Sequence, residues 1–167
     1  MQLILVSACL LGHPVRYDGG GVALESPVLR RWVAEGRVVA VCPEVDGGLP
    51  VPRPPAEISH ESGGLRLSTG AKVMDATGLD VTVSFVRGAE HTLDVARARD
   101  MRIAVLKDGS PSCGTTYICD GSFSGRRISA PGVTATRLRG AGIRVFSEAQ
   151  IDEAALCLAQ LESEGAG

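Results

Sequence analysis

Five cysteines, Cys9, Cys42, Cys113, Cys119 and Cys157, stand far apart in a chain of 167 residues. Thiolates are soft ligands and nucleophiles. Three of them at one site could bind zinc with a water in the fourth position, hold a 4Fe-4S cluster with one iron left open, or work as a redox relay. The spacings from Cys9 to Cys42 and on to Cys113, 33 and 71 residues, match no local CxxC motif, so only the fold can bring these thiols together. Cys157 reads as a packing residue, and Cys119, six residues after Cys113, as a thiol on the far side of a turn. Glu44, two residues beyond Cys42, is the candidate general base, a role worth about 10²- to 10⁴-fold in rate. Ser110 and Ser112 flank Pro111 ahead of Cys113 and are the candidate catalytic hydroxyls. Arg16, Tyr17, Asp18 and Arg53 could bind a polar substrate, and Lys107 could pair with an anionic ligand or with Glu44. His13, His60 and His91 have no paired spacing, which leaves a histidine metal site or a Ser-His-Asp triad without support. The stretch Asp120 to Gly125 (DGSFSG) could offer backbone donors to an anion or simply form a tight turn.

The elements that must position these groups alternate between strand and helix. Gln2 to Ala8, Arg37 to Cys42, Met101 to Leu106 and Ile143 to Phe146 are apolar runs of strand length. A helix follows Ser26 and Pro27, which suit the cap and the first helical position, with Leu29, Trp32 and Val33 on its apolar face and Gly36 at its end. Leu79 to Arg99 repeats apolar residues at Val81, Phe85, Ala89, Leu93 and Ala96, Val133 to Arg139 is a short helix, and Glu148 to Glu162 is amphipathic through Ile151, Ala155, Leu158 and Leu161. From Pro43 to Glu57 the prolines and Gly47-Gly48 argue against regular helix, and Ile58 to Met74 suggests a hairpin about Ser62-Gly63-Gly64. Such alternation predicts an α/β three-layer sandwich with a mainly parallel sheet, formed by residues 1–167 as one domain. In that architecture ligands gather outside the carboxyl ends of the strands, where Cys9, Cys42 and Cys113 would converge.

Composition narrows the partners. Apolar residues make up 44% and charged residues 22%, which excludes a disordered tail or a charged coiled coil. The 17 basic and 19 acidic side chains are interspersed with a net charge of −2, so no basic stripe for nucleic acid exists. Leu3 to Leu11, the one candidate targeting segment, has no basic residue before it and is too short to span a bilayer. We therefore expect a cytoplasmic protein with no membrane partner, in a compartment where thiols stay reduced.

Several ordered motifs run over nearly the whole chain: SACLLG with RYDG, CPEVDGGLPVPRPPAE, VTVSFVRGA, LKDGSPSCG, DGSFSG, and GVTA followed by GIRVFSE. In these the chain resembles a bacterial family that includes iron-sulfur thiouracil desulfidases. The resemblance implies a 4Fe-4S cluster held by Cys9, Cys42 and Cys113, with the fourth iron open to the sulfur of a thiolated pyrimidine. It further implies a non-redox hydrolytic desulfuration in which Glu44 and one of Ser110 and Ser112 serve as acid-base and hydrogen-bonding groups. Two other readings stay open at this point: a cluster-bearing sensor that binds sulfide or a thio ligand without turnover, and an iron-free cysteine or zinc enzyme.

Overall fold

The computed structural model describes residues 1–59 and 70–165. In chain order the elements are β1 (Ile4–Ser7), α1 (Pro27–Ala34), β2 (Val38–Val41), α2 (Pro43–Asp46), β3 (Ala56–Ser59), β4 (Lys72–Asp75) and α3 (Thr82–Ala98). There follow β5 (Ile103–Leu106), β6 (Ile118–Cys119), β7 (Arg127–Ile128), α4 (Val133–Gly140), β8 (Arg144–Ser147) and α5 (Ile151–Glu164). Four strands form an all-parallel sheet in the order β2-β1-β5-β8. The pairs β3-β4 and β6-β7 are antiparallel and stand apart from it.

The sheet reads as unbroken apolar runs because both of its faces are covered. Side chains alternate across a strand. Ile4, Val6, Ile103 and Val105 accordingly join the core under α1 and α5, whereas Leu5, Ala104 and Leu106 join the core under α3 and α4. The outcome is the expected helix-sheet-helix sandwich. Ser26 caps α1, its Oγ accepting from the amide of Leu29 at 3.4 Å, with Pro27 at the first helical position. Leu29 and Trp32 turn inward as expected, but Val33 faces outward and is 51% exposed, one position too far round the helix to reach the sheet. A third apolar cluster, with Ile58, Val73, Phe85, Ala89, Ile118 and Val133 among its members, fastens the β3-β4 pair to the first half of α3.

Several local expectations change. The first strand stops at Ser7, and Ala8–Leu11 turn into a 3-10 helix that carries Cys9. Within the proline-rich segment a one-turn helix, α2, does form, because Pro43 occupies its first position, where the missing N–H has no intrahelical partner to lose. Beyond β5 the polar segment contains β6, which pairs with β7. The expected hairpin turn at Ser62-Gly63-Gly64, and His60, lie outside the described residues; the strands β3 and β4 on either side pair antiparallel. Among the described residues no helix is long and apolar enough to cross a membrane.

Candidate active site

From β1 the chain crosses to β2 on one side and later returns to β5 on the other, so β1 and β5 flank a point of divergence in the sheet. Open α/β sheets place ligands there. A cavity of about 510 Å³ lies at this carboxyl edge, and Cys9, Cys42 and Cys113 all line it. Cys9 comes from the turn after β1, Cys42 precedes α2 at the end of β2, and Cys113 lies in the loop after β5. All three are free thiols.

Each thiol is held by its own local device. The Cys9 carbonyl accepts from the amides of Gly12 and Val22, so the loop between them folds back over the turn. Cys42 is placed by α2, which packs against α3 at two glycines. A Cβ on Gly88 would lie 1.8 Å from the Pro43 carbonyl oxygen, and one on Gly47 would lie 2.0 Å from that of Ser84. Only glycine permits that approach. Around Cys113 the Ser110 Oγ accepts from the amides of Ser112 and Cys113 at 3.0 and 3.1 Å. Asp108 gathers the other end of the same loop: its Oδ1 accepts from the amides of Gly109, Thr115, Thr116 and Tyr117, and its Oδ2 from the Thr116 hydroxyl. Burial works against the charge on Asp108, yet the Thr116 hydroxyl and these amides hold its carboxyl below the usual range.

Burial pushes the Cys9 thiol up to about 11, with the nearby Cys42 adding to the effect. Burial also raises Cys42 and Cys113; on Cys113 the Ser7 hydroxyl opposes the shift, while Glu44, Cys9 and Cys42 reinforce it. Three mutually sensing thiolates in a buried cavity are stable only with a positive centre among them. Among the described residues no three His, Cys, Asp or Glu side chains are grouped as a single metal ion requires. One ion needs every donor within about 2.0–2.3 Å of a single point, whereas a cubane takes each thiolate on a different iron. Three soft thiols lining one cavity are a donor set that suits an iron–sulfur cluster.

Beside the thiols, Glu44 and Arg53 form an ion pair at 2.7 Å, with the two side chains 16% and 6% exposed. Arg53 also donates to the carbonyls of Val15 and Pro50. The Ser110 hydroxyl donates to Glu44 Oε1 at 3.3 Å. Ser112 is fully buried, bonded to the Thr134 hydroxyl at 2.8 Å, and does not line the cavity. Arg16 and Tyr17 line it, the guanidinium lying over the ring, whereas Asp18 is absent from the lining and accepts from the Gly20 amide. Lys107 lines the cavity but pairs with Glu148, not with Glu44, whose carboxylate pairs with Arg53.

Across from this group stands a wall that sequence reasoning largely missed: Glu57, Tyr117, Cys119 and Arg127. Cys119 faces the cavity and not the far side of a turn, because β6 pairs with β7 and packs against β3. The backbone donors suspected in DGSFSG do meet an anion, the protein's own Glu57, which accepts from the amides of Gly121 and Phe123. A glutamate closing a proline-rich run beside an apolar Ile58 was the one available signal. Cys157 packs in the core beneath α5, with the Arg144 guanidinium 3.2 Å from its sulfur.

Known proteins share this architecture and sequence. The Bacillus subtilis (strain 168) protein named "Uncharacterized protein YbbK" is 43% identical over 151 residues, covering 90% of this chain and 99% of that protein. The solved structure of the 4Fe-4S-dependent thiouracil desulfidase TudS is 49% identical and superposes with a TM-score of 0.87, covering 96% of this chain and 99% of that one. The model of the 2-thiouracil desulfurase family matches residues 4–150. With that match running from the first residue of β1 to the residue before α5, the chain belongs to the 2-thiouracil desulfurase family.

Proposed function

We propose that the protein hydrolyses the carbon–sulfur bond of a thiolated pyrimidine such as 2-thiouracil, releasing the oxo compound and sulfide, with a 4Fe-4S cluster held by Cys9, Cys42 and Cys113. The observation that carries this reading is the meeting of these thiols and Glu44 around one cavity, in a member of the 2-thiouracil desulfurase family. Bound there, the cluster supplies a Lewis-acidic iron without a protein thiolate, which polarises the thiocarbonyl and stabilises the departing sulfide. The cytoplasm, where thiols remain reduced, is the compartment this chemistry suits.

The chain's own residues supply the proton chemistry. Glu44 takes a proton from water at Oε1, while Arg53 holds Oε2 and fixes the plane of the carboxylate. Arg53 is itself anchored on the Val15 and Pro50 carbonyls, so the pair cannot swing out of the cavity. Ser110 accepts two backbone amides, which aims its hydroxyl proton at Glu44; it is the serine of the site, and Ser112 supports the loop from below. Arg16 and Tyr17 meet the substrate at the cavity wall. One water replaces one sulfur: its oxygen becomes the carbonyl, both its protons leave on sulfide, and no electron is gained or lost.

Iron and acid-labile sulfide per chain, measured on anaerobically purified protein, test the reading together with the products formed from 2-thiouracil. About four irons and four sulfides, the content of one cubane, with equal release of uracil and sulfide, are the expected result. Zinc, or a folded protein that reconstitution cannot fill with iron, would overturn it, and binding of 2-thiouracil without product would leave a sensor in its place.

A further inference from the structure

Glu44, Glu57 and Asp108 are the carboxylates that line the cavity, and their hydrogen bonds are unequally distributed. Asp108 is saturated by the backbone amides of its loop and by Thr116. Glu44 divides itself between Arg53 and Ser110. Glu57 differs. It is 9% exposed, yet no Arg or Lys pairs with it among the described residues. Its Oε2 accepts from the amides of Gly121 at 2.9 Å and Phe123 at 3.0 Å. Its Oε1 receives no N–H or O–H bond from any described residue, and only the weak thiol donor of Cys119 lies beside the carboxylate.

Among the described residues no sealed side-chain oxygen lacks a partner, so the remaining lone pairs of Glu57 are open to the cavity it lines, and a ligand N–H that reaches them replaces water with a charge-assisted bond. The protein cannot easily supply the donor itself. The turn that feeds Oε2 is pressed onto β3, since a Cβ on Gly121 would lie 2.5 Å from the Ile58 carbonyl oxygen, and so it cannot shift to serve both oxygens. A ring such as 2-thiouracil carries N–H groups next to its thiocarbonyl carbon, and each needs an acceptor when it leaves water.

We propose that Glu57 determines specificity: its Oε1 accepts a ring N–H of the heterocycle, so the site selects thiolactams that carry a free N–H and rejects their N-alkylated analogues. The assignment rests on the desulfidase reading for the identity of the ring, and it extends that reading to a residue on the wall opposite Glu44.

Glu57→Gln is the discriminating variant. Its amide oxygen can still hold the Gly121 and Phe123 amides, which leaves an N–H donor where Oε1 accepted. Dissociation constants for uracil and 1,3-dimethyluracil are measured by calorimetry on anaerobic, cluster-loaded protein of matched iron content. Wild type should bind uracil about 10- to 100-fold more tightly than the dimethyl ring. In Glu57→Gln that preference should fall by about tenfold or more, with thermal midpoint and iron content retained. The methyl groups add the same bulk for both proteins, so the change in ratio between them reads the hydrogen bond alone. A ratio unchanged in Glu57→Gln overturns the assignment, and so does a wild type that binds both rings equally, a result that requires no variant to fold. Sulfide release from 2-thiouracil by the same wild-type sample is scored separately: its absence removes the desulfidase reading, whereas release with an unchanged ratio in the variant removes only the role of Glu57.

Discussion

The two sides of the cavity are built by different means. The floor, with Cys9, Cys42 and Cys113, hangs from the carboxyl ends of parallel strands; Ile4, Leu5, Val6 and the whole of β5 are fully buried, while β2, which leads to Cys42, is the half-buried edge strand. The far wall comes from β3-β4 and from β6-β7, a pair of strands only two residues long each, braced by Glu57 and by the Arg127 guanidinium 4.5 Å above the Tyr117 ring. A rigid floor suits the proposed cluster site, because misplacing any of three shared thiols would lose the group. A wall of short pairs can vary in side chain without disturbing the sheet, which suits recognition of substrate. The two constructions match the proposed division, chemistry on the floor and selection on the wall.

Changes to the floor should therefore be the most damaging. Cys113→Ala should abolish turnover and cluster binding while the fold survives, read as iron per chain beside a far-ultraviolet spectrum. Glu44→Gln should keep the iron and lower kcat by about 10²- to 10⁴-fold; retained turnover would remove Glu44 from the proton step. Gly88→Ala carries the argument to the support beneath Cys42. Alanine is the better helix former, but its Cβ would meet the Pro43 carbonyl at 1.8 Å, so a net loss of about 3 kcal/mol in denaturant unfolding is expected, with loss of cluster occupancy.

The loop that carries Cys113 can be probed by pH. Asp108 has a depressed carboxyl pKa in the folded protein, so its contribution to stability is complete above the unfolded value of about 3.9 and is lost as pH falls through the folded value. Asp108→Ala should cost about 2 kcal/mol at neutral pH, and its stability should fall less than that of wild type on acidification below pH of about 4. The smallest effect belongs to the wall. Arg127→Ala removes an exposed cation-π contact and should change stability by no more than about 1 kcal/mol. A loss as large as that of Gly88→Ala would mean that the wall, too, is structural, and would dissolve the contrast.

Much of the floor was legible beforehand because its signals are local. The apolar runs of β1 and β5, the cap at Ser26 and the repeat from Val81 to Ala96 each follow from neighbouring residues alone, and each forms. The misreadings fall where a partner distant in sequence decides. Lys107 pairs with Glu148, 41 residues away, while Arg53 pairs with Glu44. Cys119 turns to the cavity because its strand pairs with Arg127 and Ile128. Glu57 closes the motif CPEVDGGLPVPRPPAE, but its place in the cavity could not be read from that motif, since its donors lie more than sixty residues away, 64 to Gly121 and 66 to Phe123.

The sequence by itself determined a parallel α/β sheet with cysteines just past three of its strands, because hydrophobic period and strand-end placement are properties of contiguous residues. Only the tertiary structure decided which side chains share the cavity and which carboxylate is left with an oxygen to offer. Hydrogen bonds are made between groups that meet in space. Whether Asp108, Glu44 or Glu57 is saturated depends on loops that the chain brings together only after the sheet has formed.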